Sequence, residues 1–259
     1  MSEDTRLFGA DREIRRPCFP FGMRNTDRED ESVVFDFTVR TKQDLIDAVR
    51  TFGIVPFFRN SIPGFSLEEH VVPSVWYTSE SAEWPVWEWK GPVIFEANCA
   101  YGKFFEKKAA FVSPDWFREL ANYRRDGYDF DARYDDGLSS RKDKDLFDLI
   151  DANAPVLSRT VKALGNYRKG GRTGFETSLT RLQEQCYVIT GDFVYPVDRH
   201  GNRYGWGTAQ YTTPERFFGT EFSDAVYSNS PERSRGLLLE HLSSVLPGTE
   251  EKDLIRFLK

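Results

Sequence analysis

The segment TGFETSLTRLQEQCYVITGDFVY, residues 173–195, and its return stretch RYGWGTAQY, residues 203–211, decide the fold. Phe175, Leu179, Leu182 and Cys186 fall at spacings of four, three and four, which is one apolar stripe along a helix. Thr173 and Glu176 stand three apart at its start, the spacing of a capping box. The opposite flank shows Thr177, Thr180, Arg181 and Glu184. A hairpin follows, with strands expected at 187–195 and 203–211 around a tip at 196–202. Tyr204, Trp206, Thr208 and Gln210 alternate with smaller partners along the return strand, a period of two.

Working upstream, Leu146, Phe147, Leu149 and Ile150 predict a helix over 142–152. Val156, Leu157, Val161 and Leu164 predict a second over 154–164 that stops at Gly165. A basic, glycine-rich turn, 166–172, leads into the third. Three helices followed by a ribbon with a charged tip predict a winged helix-turn-helix module over 141–211. In that arrangement the third helix enters a major groove, with Thr177, Thr180 and Arg181 toward bases or phosphates. Arg168, Lys169 and Arg172 of the turn, with the amides near Thr173, hold backbone phosphates. Arg199, His200 and Arg203 reach out from the ribbon tip. The expected partner is double-stranded DNA.

Charge distribution agrees with this reading. From Arg159 to Arg203 eight basic residues face four acidic ones, so this window carries +4. The net charge of the chain is −6, which leaves −10 elsewhere. The chain is electrostatically divided.

Ahead of this module the sequence predicts an irregular arm over 1–32 and an aromatic-rich α+β domain over 33–128, itself a possible diverged winged helix. Val33–Val39 reads as a strand, and Thr41 with Asp44 opens a helix whose inner face is Leu45, Ile46 and Val49. Pro56, Pro63, Pro73, Pro85 and Pro92 break up residues 53–92, among Trp76, Trp84, Trp87 and Trp89. This stretch reads as an ordered loop pinned by aromatics, with a ligand pocket walled by the four tryptophans as the sharper alternative. Val93–Glu96 and Phe104–Val112 read as strands, and Ser113-Pro114-Asp115 starts a helix. Acidic, glycine-punctuated residues predict a linker over 129–140. Residues 212–259 read as helices capping the winged helix or an oligomer interface. The fold class expected is α+β throughout.

Several chemistries find no support. His70, His200 and His241 lie far apart and no cysteine stands at metal spacing, so no metal and no cofactor are expected. Neither a phosphate-binding Gly-Lys-Ser/Thr loop nor a Gly-x-Ser-x-Gly elbow occurs. Cys18, Cys99 and Cys186 are widely spaced and odd in number, which fits a reducing compartment, and a cytoplasmic location is expected. No apolar run is long enough to cross a membrane, and Met1–Arg6 does not open a secretory leader.

Residues 174–193, together with YGWGTAQYTTPERF at 204–217, resemble the winged-helix segment of the AlkZ/YcaQ-like group. WEWK at 87–90 and YGKFFEKK at 101–108 are similar to that group's middle region. The resemblance covers about 41–217 and implies tandem winged helices on a DNA-binding scaffold; in that family the scaffold is a glycosylase that unhooks crosslinked or alkylated bases. The family's catalytic glutamine, apolar residue, then glutamine or aspartate would fall within Phe52–Phe58, where this chain has neither. Gln183-Glu184-Gln185 matches only superficially, inside the third helix. The resemblance therefore implies DNA binding without catalytic residues. Two alternatives stand beside it. One is a glycosylase-like enzyme acting through Glu69 or Asp44; the other is an interaction or ligand-sensing protein using the aromatic loop.

Overall fold

The computed structural model describes residues 34–78 and 84–259; the arm expected over 1–32 lies outside them. Thr41 accepts a hydrogen bond from the Asp44 amide and the Asp44 carboxylate accepts one from the Thr41 amide, so the expected capping box forms. It starts α1 (Lys42–Phe52), which buries Leu45, Ile46, Val49 and Phe52 and ends at Gly53. Gly53 has a φ of 70°, and any Cβ there would run into the Trp116 indole, so both conformation and space demand glycine. Next come β1 (Ile54–Pro56), the one-turn helices α2 (Leu67–His70), α3 (Pro73–Trp76) and α4 (Pro85–Glu88), then α5 (Lys90–Glu96). The hairpin β2 (Ala100–Phe105) and β3 (Lys108–Val112) precedes α6 (Pro114–Arg125). The sheet is antiparallel in the order β1-β3-β2, with Ile54 opposite Val112 and Tyr101 opposite Phe111.

Three expectations are corrected in this region. Val93–Glu96 belongs to helix α5, not to a strand: a four-residue apolar run carries too little periodicity to decide, and Pro92 sits in the first turn, where its missing N–H is no loss. Residues 104–112 form two strands, because Glu106 and Lys107 both take positive φ and reverse the chain without glycine. Residues 34–39 form no strand beyond a single bridge, Val39 to Val71. Instead the Phe35 amide donates to Val245 and its ring sits in the core.

The second unit opens with α7 (Phe130–Asp135) and α8 (Arg141–Asn153). It continues through β4 (Val156–Leu157), α9 (Ser158–Leu164), α10 (Phe175–Glu184), β5 (Ile189–Val194) and β6 (Thr208–Thr212). The expected linker 129–140 thus holds a helix. Asp129 caps it, and Phe130 is buried against Phe147 and Tyr187. The second predicted helix starts four residues late, because Val156 and Leu157 pair with β6 before the chain turns helical; Leu164 is exposed rather than inward. Gly174, with a φ of 92°, occupies the cap position of α10, so Thr173 caps nothing. The α11 (Pro214–Phe218), α12 (Thr220–Ala225), α13 (Pro231–Val245) and α14 (Glu251–Leu258) helices complete the chain.

Both units share one order: helix, strand, helix, helix, strand, strand, with several short turns in the middle of the first. Both sheets also share one topology, since the second runs β4-β6-β5. The units interlock reciprocally. The third helix of each packs on the hairpin of the other, α5 on β5 and α10 on β2, and β2 itself adjoins β5. Glycines permit both approaches. A Cβ on Gly91 would come within 2.5 Å of the Asp192 carboxylate, and one on Gly102 within 3.4 Å of the Gln183 side chain. Cys186, Ile189 and Phe193 join the larger core through this junction. The C-terminal helices, expected to cap the second unit or an oligomer interface, lie on the first. Phe257 stacks on Phe105 and contacts Phe65, and His241 stacks on Trp116.

Candidate nucleic-acid interface

The turn between α9 and α10 closes on itself. Asn166 takes positive φ, its carbonyl accepts from Arg172 N, and its side-chain oxygen accepts from Arg168 Nε at 2.9 Å. Any Cβ on Gly171 would strike the Asn166 carbonyl, which explains the second glycine of the pair. Arg168 and Lys169 are exposed and neither has a carboxylate partner among the described residues. Arg172 is exposed as well, but its Nη1 lies 3.1 Å from Asp145 of α8.

Along α10, Thr173 and Thr177 are exposed and Thr180 is half-buried. Arg181 binds Asp143 through two nitrogens, and Glu176 accepts from Lys162 Nζ at 2.8 Å. The solvent flank of this helix therefore shows two glutamates, Glu176 and Glu184, and one arginine already paired. Its buried flank includes Gln183, which accepts from the Lys103 amide and donates to Thr190 Oγ1. The superficial Gln-Glu-Gln resemblance thus includes a structural tie between the units.

The ribbon tip is organised by Asp198, whose carboxylate accepts from the His200 and Asn202 amides. Arg199 Nε donates to His200 Nε2 at 3.0 Å, and Arg203 lies 5.4 Å from the Tyr195 ring centroid. Neither arginine forms a salt bridge among the described residues, although the Arg203 charge acts on the Asp192 carboxyl. Beside them Tyr204 and Trp206 are 58 % and 68 % exposed.

The tryptophans of 76–89 pack largely on one another and on the first core. Trp87 is the hub, with ring centroids of Phe57, Phe58, Trp76 and Trp84 at 5.4 to 6.2 Å. Trp89 packs against the core. From the second unit Trp206 approaches Trp87 at 6.4 Å. Glu69 and Asp44, the carboxylates weighed as catalytic, are consumed locally. Glu69 accepts from the Gly64 amide and the Ser66 hydroxyl, and Asp44 from the Arg40 and Thr41 amides. Val55 and Phe57 are fully buried. Burial pushes the Cys186 thiol up to about 12 and raises the Cys99 thiol as well, so both are inert core groups.

Sequence reasoning missed Lys90. It retains only 9 % exposure, and its Nζ lies 4.2 Å from the Phe193 centroid, 4.5 Å from Trp87 and 6.0 Å from Phe57. Burial brings its pKa down to about 8. The available signal was its position between Trp89 and Gly91, a lysine set directly among aromatic and small residues.

Among the described residues no group of three or more His, Cys, Asp or Glu could hold a metal ion, and no helix is long and apolar enough to cross a membrane. A family model described as AlkZ related matches residues 39–259. No curated protein and no solved structure matches the chain.

Proposed function

The chain belongs to the AlkZ-related family, and from that premise we propose that it binds double-stranded DNA through two winged helices, without base-release chemistry. The repeated order of elements and the shared sheet topology support the two modules, over 33–128 and 141–211. Residues 129–140 lead into the second module and 212–259 form a helical extension. The surface proposed to face DNA carries Arg168, Lys169, Arg172, Thr173, Thr177, Thr180, Arg181, Arg199, His200 and Arg203, of which Arg172 and Arg181 support it through their α8 partners instead of by contact.

One observation carries the reading. In the second unit Arg141, Lys144, Lys162, Arg172 and Arg181 are paired with carboxylates, whereas Arg168 and Lys169 of the turn and Arg199 and Arg203 of the ribbon tip stay exposed without a salt bridge, as do Lys142 and Arg159 elsewhere on the unit. Counterion release requires cations that are not already neutralised. Binding is therefore dominated by phosphate contacts from the turn and the ribbon tip. Arg172 and Arg181 hold the framework, and Thr173, Thr177 and Thr180 lie alongside. Absence of a glutamine or carboxylate at Val55 and Phe57 removes the groups that would position a water or stabilise an oxocarbenium ion.

Fluorescence anisotropy of labelled duplex DNA tests this. The four cations of the turn and the ribbon tip predict a slope of log affinity against log salt of about −3 to −4. No saturable binding at about 50 mM salt would sink the reading.

A further inference from the structure

Two glycines frame Trp206 in the ribbon. Gly205 takes a φ of 65°, and a Cβ on Gly207 would come within 2.8 Å of the Tyr195 ring, so the ring lies against bare backbone. Tyr195 in turn carries the Arg203 guanidinium, 5.4 Å from its centroid. On this support Trp206 stays 68 % exposed and Tyr204 58 %. Trp206 also ends a row of rings. It meets Trp87 edge to face at 6.4 Å, Trp87 meets Trp84 at 6.2 Å, and Trp84 meets Tyr77 at 4.6 Å. Tyr77, at the far end, is exposed as well. The row crosses from the first unit to the ribbon of the second and opens to solvent at both ends. Single exposed rings need no explanation, but a connected row with open ends marks a binding surface.

Charge decides what covers it. At the ribbon tip Arg199 and Arg203 are exposed without a salt bridge, and the Asp198 carboxylate is occupied by the His200 and Asn202 amides. Around the Tyr195 hydroxyl the Glu88 and Asp192 charges oppose that of Arg203, so phosphates are favoured at the tip and not over the rings. Free guanidiniums beside open rings suit a nucleic-acid strand whose phosphates go to the former and whose bases go to the latter.

We propose that Trp206, with Tyr204 beside it in the ribbon, stacks on unpaired bases, so that this protein selects DNA with a gap or a single-stranded overhang over blunt duplex. This rests on the DNA reading above and narrows its substrate. In a continuous duplex each base face is covered by its neighbours, and opening a step for an indole costs energy. At a gap or an overhang a face is already bare. Every base has such a face, so the selection follows strand structure and not base order.

Anisotropy titrations of the full chain test the proposal with a blunt duplex, the same duplex carrying a short gap, and a single strand of equal length, all at one salt concentration. The gapped duplex should bind at least about tenfold tighter than the blunt one. Trp206→Ala should remove that preference and leave blunt-duplex affinity within about twofold, while Trp206→Phe, which keeps a ring, should retain part of it. In the unaltered chain, indole fluorescence quenched by the gapped duplex and not by the blunt one reads the same contact. Equal affinity for gapped and blunt duplex, or a preference that survives Trp206→Ala, overturns the proposal and leaves duplex binding intact. Gapped DNA bound through Trp206, with no saturable binding of the blunt duplex, overturns the duplex reading while the stacking surface stands. A chain that sediments as a dimer, and as a monomer in Trp206→Ala, assigns the rings to a second copy and overturns the proposal.

Discussion

Arg181 grips Asp143 at two points across the contact between α10 and α8, Nε to Oδ2 at 3.0 Å and Nη2 to Oδ1 at 2.8 Å. Burial alone would raise the Asp143 carboxyl, but hydrogen bonds from Arg181, Ser140 and Ser178 hold it below the usual carboxylate range. The pair fixes the angle of the third helix instead of presenting a free guanidinium. Arg181→Ala should therefore cost about 1–3 kcal/mol in urea denaturation, because it strands an enclosed carboxylate. Its effect on duplex affinity should stay within about twofold once folding is allowed for. A stable variant that no longer binds DNA would return the third helix to the centre of the interface.

The ribbon and turn make the opposite prediction. Arg199→Ala and Arg203→Ala, each exposed and without a salt bridge, should leave stability within about 0.5 kcal/mol. Each should weaken duplex binding and reduce the magnitude of the salt slope by about 1. Lys169→Ala should do the same. Anisotropy titrations at several salt concentrations, on several unrelated duplexes, check this. Losses that depend on sequence would show base reading instead of phosphate contact.

His241 predicts how the fold responds to acid. Its Nε2 donates to the Phe52 carbonyl at 2.9 Å and its ring stacks on Trp116, 3.8 Å between centroids. Burial brings its pKa from 6.5 down to about 4, so the folded chain keeps this ring neutral where the unfolded chain protonates it. Stability is thus unaffected by this group above pH 6.5, falls as pH drops from 6.5 toward 4, and levels off below. The loss amounts to about 3 kcal/mol at most. Thermal denaturation from pH 7.5 to 4 should show it. His241→Gln, which keeps a donor toward Phe52, should flatten that window. Glu119 and Asp143, both held below their usual values, lose their contribution at lower pH still.

What was legible in the sequence follows from where local rules decide. The Thr41 cap, the apolar stripe of α10 and the hairpin after it were readable, because each is fixed by neighbours within a few residues, although the return strand begins at Thr208 and not at Arg203. Helix α5 was not, since Val93–Glu96 is apolar on too short a run and its packing on β5, α1 and α4 lies beyond local sequence. The joint helix α7 was hidden by its aspartates, although Asp129 is a good cap and Phe130 an obvious core residue. Of the expected DNA contacts, the basic residues left without a salt bridge are those in glycine-rich or irregular segments. Arg172 and Arg181 have partners on α8 that lie 27 and 38 positions away, a distance at which spacing says nothing.

The junction between the units gives the last test. Gln183 is 2 % exposed and bonds at once to the Lys103 amide of β2 and the Thr190 hydroxyl of β5, so one side chain bridges both hairpins. Gln183→Leu matches its size but leaves an amide and a hydroxyl without partners in a dry contact, at a cost of about 1–3 kcal/mol. Gly102→Ala approaches the same place from the other side. Its Cβ would lie 2.9 Å from the Phe104 ring, and overpacking of this kind costs a further 1–3 kcal/mol, roughly. Because the larger core runs through the junction to Cys186, Ile189 and Phe193, the unaltered chain should unfold in one transition by tryptophan fluorescence and by circular dichroism alike. The double variant should separate those curves, since most of the tryptophans report on the first unit. Coincident curves in the double variant would mean that the C-terminal helices packed on the first unit, and not this bridge, couple the two halves.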